Sequence, residues 1–193
     1  MKLRNICIYC GSSPGRSTDY AQQARRMAQV LVEQSITIVY GGGKNGLMGV
    51  VADAALAAGG KVIGVMPRSL VDKEVAHRGL TELHVVESMH DRKALMADLS
   101  DGFIALPGGV GTFEELFEMW TWGQLEFHQK PCGLLNASSY FDLLAAFLNH
   151  ASTEGFIKAP HREMLIIADN AEDLLSRFNA YDPPTVKKWI PCN

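Results

Sequence analysis

The feature that most constrains the fold of this chain is an alternation of short apolar runs with segments of helical periodicity. The apolar runs occupy residues 6–9, 36–40, 61–66, 103–106, 132–135 and 164–167, and a further short strand is expected at 83–86. Continuous apolar runs are typical of strands that are covered on both faces. They therefore predict the strands of a buried parallel sheet.

Helix-periodic segments separate these runs. Residues 19–34 carry Ala24, Met27, Ala28 and Leu31 at the i, i+3, i+4 and i+7 positions of one helix face. Strand–helix alternation of this kind predicts a Rossmann-like α/β fold, a doubly wound parallel sheet with helices on both faces. With 193 residues, we expect a single domain over residues 1–180 and a C-terminal surface extension at 181–193.

The charge and cysteine content disfavour several classes of partner. The chain carries 18 Lys and Arg against 21 Asp and Glu, a net charge of −3, so it has no basic field for nucleic acid or an anionic membrane. No run approaches the roughly 18 apolar residues that a membrane span needs.

Cys7 and Cys10 are predicted to be buried thiols on opposite faces of a strand, without partners for a metal site. A disulfide framework is not expected, which favours the cytoplasm.

Glycine turns follow three of the predicted strands, at 11–15, 41–46 and 108–111. In doubly wound folds, ligands bind outside the carboxyl ends of the strands, so these turns predict one binding crevice. The second turn has the letters of a dinucleotide fingerprint, but the acidic residue expected after the next strand is missing, which disfavours a nicotinamide cofactor. Asn45 after Lys44 excludes a Walker A loop.

The third turn is the most specific of the three. Its glycines allow close approach of a ligand, and the following helix N terminus and the Thr112 hydroxyl suit a phosphate. Glu115 has two interpretations: it completes a T-x-x-E capping box with Thr112, or it points into the ligand crevice. Glu114 and Glu118 are expected to be solvated or paired surface acids.

A second group of polar residues lies at 88–93. Ser88 and Asp91 predict a helix start of the S-x-x-D type. Arg92 and Lys93 oppose the dipole of that helix. Two cations there favour an anionic partner, such as a phosphate or Glu115, and a solvated basic pair is the alternative.

Together these motifs resemble a known family. Residues 107–115 fit the pattern P-G-G-x-G-T-x-x-E, and residues 89–93 fit M-x-x-R-K. With them the chain resembles the Lonely Guy (LOG) family of cytokinin-activating phosphoribohydrolases, whose members were long labelled lysine decarboxylases. The resemblance extends from about residue 5 to 170 and includes the first two glycine turns.

The resemblance implies hydrolysis of the N-glycosidic bond of an adenine-type nucleoside 5′-monophosphate, AMP or an N6-prenylated form, to free base and ribose 5-phosphate. It places the catalytic pair on Arg92 and Glu115, and it implies a homodimer that needs no metal or organic cofactor. Together with the glycine turns, it gives the following expected substrate-binding residues: Gly11, Ser12, Gly42, Gly43, Glu74, Arg92, Lys93, Gly109, Val110, Gly111, Thr112, Glu114, Glu115 and Thr121.

Two other functions remain open from the sequence. A nucleotide-binding or carrier protein without turnover would use the same sheet edge and the same turns. An amino-acid decarboxylase would need a lysine that forms a Schiff base with pyridoxal phosphate, and no lysine of the chain stands out for that role.

Overall fold

A single parallel sheet organises the protein in the computed structural model, which describes residues 2–71, 73 and 76–184. Within these residues the sheet has seven strands in the order β4-β3-β2-β1-β5-β6-β7. The strands are β1 Asn5–Tyr9, β2 Thr37–Tyr40, β3 Val62–Pro67, β4 Glu82–Val86, β5 Gly102–Ala105, β6 Cys132–Leu135 and β7 Leu165–Ala168. The doubly wound α/β fold predicted from the sequence is confirmed.

The described chain contains eight α-helices, of which seven connect the strands and the last follows β7. They are α1 Thr18–Glu33, α2 Gly46–Ala57, α3 Arg68–Val71, α4 Met89–Leu99, α5 Val110–Gln124, α6 Asp142–Thr153, α7 Ala159–Glu163 and α8 Ala171–Asn179. No helix in this part of the chain is both long and apolar enough to cross a membrane.

Successive side chains of β1 enter two separate hydrophobic cores, because neighbouring residues of a strand point to opposite faces of the sheet. Ile6 and Ile8 pack with α1, α2 and α8 on one face. Cys7 and Tyr9 pack with α4, α5 and α6 on the other. Cys10 joins the first core, so the two cysteines lie on opposite faces as buried free thiols, as predicted.

The centre of the sheet positions the candidate site residues. Tyr9 at the end of β1 pairs in register with Ala105 at the end of β5. The chain then leaves β1 toward one face and β5 toward the other, which opens a crevice between the two turns that follow. The glycine turns after β1 and β5 therefore lie side by side.

The structure differs from the sequence-based expectation in the last third of the domain. The helix expected at 140–150 begins at Asp142, with Phe141 as its N-cap residue, and Ser138 and Ser139 in the turn before it have positive φ angles of 50° and 58°. The one-turn helix α7 was not expected, since a five-residue helix is too short to show periodicity. Residues 185–193 lie outside the described residues, so the surface extension stays a prediction.

Candidate active site

The three glycine turns meet at the carboxyl edge of the sheet. The N–H of Gly11 donates to the carbonyl of Pro107 at 3.0 Å, and the N–H of Leu47 donates to the carbonyl of Gly11 at 3.0 Å. Gly46, with a φ of 58°, lies so close to the backbone of Ser12 that a β-carbon there would overlap it. The turns after β1, β2 and β5 are therefore packed into one unit, as their positions in the sequence predicted.

The turn after β5 leads directly into helix α5. Gly109 is the N-cap residue, and it makes no side-chain capping hydrogen bond. Thr112 and Glu115 are consequently the third and sixth residues of the helix. The capping-box interpretation of these two residues is wrong, because the helix begins three residues earlier than that pattern requires. Glu115 is left free for another role.

Two glycines of this turn have no structural reason to be glycine. A β-carbon at Gly109 or Gly111 would meet nothing within 4 Å, and neither residue has a positive φ. By contrast, a β-carbon at Gly108 would overlap Thr112 and come within 2.8 Å of the nitrogen of Gly11. Gly109, Val110 and Gly111 are exposed at the N terminus of α5, where free backbone N–H groups and the helix dipole favour an anion.

Arg92 and Glu115 form a nearly buried ion pair beneath this turn. The Nη1 atom of Arg92 lies 3.4 Å from Oε1 of Glu115, and the two side chains are 12% and 11% exposed. Burial raises the pKa of the Glu115 carboxyl above its usual value, while the Arg92 cation acts in the opposite direction. Farther charges act in the same two directions, since Glu114 and Glu118 raise this pKa and Lys93 lowers it. The Arg92 guanidinium is the cation with the largest effect on the charge of the carboxyl.

The position of Arg92 depends on the second glycine turn. Its Nε atom donates to the carbonyl of Val65 at 3.2 Å. A β-carbon at Gly41 would overlap the Nη2 atom of Arg92, so only a glycine leaves room for the guanidinium there. One role of this turn, which has the letters of a dinucleotide fingerprint, is therefore to leave space for the Arg92 side chain.

Lys93 points to a different pair of carboxylates. Its Nζ atom contacts Glu114, and it lies 3.0 Å from Oε2 of Glu118. The Lys93 side chain is only 10% exposed. Glu114 and Glu118 are therefore paired acids, one of the two states expected for them. These ion pairs join α4 to α5 alongside the pair of Arg92 and Glu115.

A cleft of about 280 Å³ opens on the other side of the turn after β5. Gly11 and Ser12 line it, as do Gly108 and Gly109. Two tyrosines complete its wall, Tyr20 from α1 and Tyr140 from the segment before α6. Sequence reasoning missed both tyrosines, because no motif marks them and only the fold brings them to the glycine turns.

The other expected substrate-binding residues have different surroundings. Gly42 has a φ of 77° and accepts a hydrogen bond from the N–H of His77, and Gly43 accepts one from the hydroxyl of Tyr40. Thr121 is half-buried on α5, about one and a half turns beyond Glu115. Glu74 lies outside the described residues. Their binding roles stay predictions.

The described residues contain no cluster of three His, Cys, Asp or Glu side chains that could hold a metal ion. The arrangement at the sheet edge instead combines exposed backbone N–H groups, a buried carboxyl group and a guanidinium. Such a set can bind an anionic group and stabilise positive charge on a neighbouring atom.

Fold and site together define the class: a Rossmann-like α/β protein with a glycine-rich turn at a helix N terminus and a carboxylate–guanidinium pair below it. The fold is shared with the molybdenum cofactor binding protein of Rippkaea orientalis, which is 19% identical at a TM-score of 0.69 and covers 93% of this chain and 98% of its own. At that level of identity the likeness extends to the fold alone.

Closer relatives identify the family. A family model described as possible lysine decarboxylase matches residues 48–178. A probable cytokinin riboside 5′-monophosphate phosphoribohydrolase of Oryza sativa subsp. japonica is 49% identical over 95% of this chain and 74% of its own. A cytokinin riboside 5′-monophosphate phosphoribohydrolase of Rhodococcoides fascians is 49% identical over 92% and 90%. The chain belongs to the Lonely Guy family.

Proposed function

We propose that the protein hydrolyses the N-glycosidic bond of adenine-type nucleoside 5′-monophosphates to free base and ribose 5-phosphate. The observation that carries the proposal is the buried Glu115 carboxyl, paired with Arg92 and one and a half turns from an exposed glycine turn at a helix N terminus. The names of the relatives at 49% identity support the same reaction.

The phosphate is expected at the turn after β5. Gly109 and Gly111 leave open space in front of the N terminus of α5, and the buried Thr112 lies beside them. A phosphate held there is remote from the bond that breaks. Its binding free energy can therefore position the ribose against the catalytic groups.

Glu115 has the role of stabilising the reacting sugar. Breaking the bond between C1′ and the base nitrogen leaves positive charge on the ribose ring, by analogy with glycoside hydrolysis. The Glu115 carboxylate stabilises that charge and orients a water molecule toward C1′. The water oxygen bonds to C1′, the base departs with the electron pair of the broken bond, and the proton released by the water balances the charge on the base.

Arg92 has the role of keeping Glu115 ionised and in place. Burial alone would favour the protonated carboxyl, and the guanidinium opposes that effect. Because a guanidinium stays charged in proteins, Arg92 is not assigned the role of a proton donor to the base.

The test is chromatography of the products after incubation of the purified protein with AMP and, separately, with isopentenyladenosine monophosphate. Free base released by the wild type and not by Glu115→Gln supports the proposal, and the relative rates identify the preferred base. Both nucleotides bound without any release of base would contradict it and would favour a carrier.

The state of assembly and the compartment are part of the same proposal. We propose a homodimer, and exposed apolar side chains such as Phe127 and Phe147 are consistent with a contact between subunits. A reducing cytoplasm suits Cys7, Cys10 and Cys132, which are buried free thiols. Sedimentation as a monomer at micromolar concentration would contradict the dimer.

A further inference from the structure

One hydrogen bond links the turn after β5 to a segment that the family motifs do not include. The hydroxyl of Tyr140 donates to the carbonyl of Gly108 at 2.6 Å, between residues 32 positions apart. Gly108 directly precedes the N-cap Gly109 of α5, which has no side-chain cap of its own. The tyrosine therefore provides this helix start with a side-chain contact that the local sequence lacks.

The conformation of the segment before α6 places this hydroxyl next to Gly108. Ser138 and Ser139 hold positive φ angles of 50° and 58°, a conformation that costs free energy for residues other than glycine. The buried Asn136 stabilises the bend. Its side-chain oxygen accepts from the N–H of Phe141 at 2.8 Å, and its side-chain nitrogen donates to Asp142 at 2.8 Å.

The ring of Tyr140 is also held from two sides. It packs edge-on against Phe141 with centroids 4.9 Å apart, and against Tyr20 with centroids 5.7 Å apart. Edge-to-face packing of this kind restricts the orientation of a ring. The hydroxyl consequently meets the Gly108 carbonyl with little freedom to move.

Fixing the Gly108 carbonyl also fixes the N–H group of Gly109. The peptide bond is planar and trans, so the N–H of Gly109 points opposite to the carbonyl of Gly108. The preceding carbonyl, that of Pro107, accepts from the N–H of Gly11 at 3.0 Å. Both peptides before α5 are therefore held, while Gly109 and Gly111 face open space.

We propose that Tyr140 is a positioning residue that holds the turn after β5 in the conformation that binds the phosphate. The inference rests on the proposed function for the identity of the ligand, a nucleoside monophosphate. It does not require turnover, because the turn is organised before the ligand arrives. Tyr140 acts through Gly108 and does not itself contact the reacting atoms.

The test compares Tyr140→Phe with the wild type and with Tyr181→Phe. Phe keeps the ring packing and removes only the hydroxyl. Tyr181 is a matched control, since its buried hydroxyl has no hydrogen-bond partner among the described residues and lies near β6, away from the turn. Calorimetry measures the binding of AMP, ribose 5-phosphate and free adenine. Nitrogen-15 relaxation measures the order parameters of Gly109 and Gly111 without ligand.

We expect Tyr140→Phe to weaken the binding of AMP and of ribose 5-phosphate by the same factor, about three- to tenfold for one lost hydrogen bond. The affinity for adenine should be unchanged. The order parameters of Gly109 and Gly111 should fall, and Tyr181→Phe should match the wild type in every measurement.

Three results would overturn the inference. The first is that Tyr140→Phe binds ribose 5-phosphate as tightly as the wild type does. The second is weaker binding with unchanged order parameters, which would make the hydroxyl a direct ligand contact. The third is failure of the wild type itself to bind ribose 5-phosphate. A wild type that binds AMP but releases no base would contradict the proposed function and leave this comparison intact.

Discussion

The guanidinium of Arg92 occupies the space where Gly41 lacks a side chain. A β-carbon at Gly41 would overlap its Nη2 atom and lie 3.0 Å from its Cζ. The same guanidinium reaches Glu115 at 3.4 Å. The end of β2 and the carboxyl group on α5 are thus connected through one side chain of α4, and a glycine in one turn determines the geometry of a carboxylate in another element.

Gly41→Ala is expected to displace Arg92 without unfolding the protein. Gly41 has no positive φ, and the atoms that would clash are the end of a flexible side chain, which can move. Turnover of AMP should fall about 10- to 100-fold, since small misplacements of positioned groups cost rates of this order. The melting temperature should change little. The exposed Gly79, also without a positive φ, provides a control as Gly79→Ala, and equal turnover in both variants would refute the prediction.

The activity should depend on pH through Glu115. Burial raises the pKa of its carboxyl, and the carboxylate is the form that the proposed reaction needs. The value of kcat/KM should therefore fall as the pH drops through a pKa above the ordinary 4.5 of a glutamate. Arg92→Gln removes the cation that lowers this pKa, so the acid limb of the residual activity should move to higher pH. An unshifted limb in Arg92→Gln would contradict the assigned role of Arg92.

The same raised pKa has a consequence for stability. A carboxyl whose pKa is higher in the folded than in the unfolded protein contributes stability at low pH that is lost as the pH rises through the folded value. The melting temperature of Glu115→Gln should therefore increase relative to that of the wild type as the pH rises from about 4 to about 7. Thermal unfolding of both proteins across that range measures the difference. A melting temperature of Glu115→Gln that falls relative to the wild type as the pH rises would contradict a raised pKa of Glu115.

Gly111→Ala should separate ligand binding from stability. The new methyl group would enter open space at a helical position, and alanine is a better helix former than glycine. The melting temperature should stay equal or rise, while the KM for AMP should rise about tenfold because the methyl group occupies space expected for the phosphate.

The neighbouring Gly108→Ala is the contrasting variant. Its methyl group would overlap Thr112 and approach the nitrogen of Gly11, so a loss of stability of about 1–3 kcal/mol is expected. Calorimetric unfolding and steady-state kinetics of both variants provide the comparison. An unchanged KM in Gly111→Ala would argue against a phosphate at this turn.

A substitution of Lys93 can distinguish two roles of this residue, the binding of substrate and the pairing of α4 with α5. In the structure it neutralises Glu118 and Glu114, so Lys93→Met should leave two carboxylates facing an uncharged side chain. We expect the protein to lose up to about 1 kcal/mol of stability, because Glu114 and Glu118 are 52% and 26% exposed and water screens part of their attraction to Lys93. Adding Glu118→Gln should restore part of the loss. A raised KM with an unchanged melting temperature would instead support direct binding of the substrate.

The fold was largely predictable because buried parallel strands appear in the sequence as short apolar runs. The run at 132–135 coincides with β6, and the Ser88–Asp91 capping box at the start of α4 is confirmed. The T-x-x-E pattern of Thr112 and Glu115 misled, since its letters are those of a helix start but α5 begins earlier, after a glycine cap. A local pattern of this kind has no meaning until the first residue of the helix is known.

By itself, the sequence determined the alternation of strands and helices and the placement of the glycine turns after strands, and its family resemblance predicted Arg92 and Glu115 as the catalytic pair. Only the tertiary structure decided that these two meet, that Lys93 turns to Glu114 and Glu118 instead, and that Tyr140 reaches Gly108. The physical reason is that local patterns reflect burial and backbone preference within one segment. Contacts between segments depend on strand order, which here places β5 beside β1 and brings distant turns to one edge.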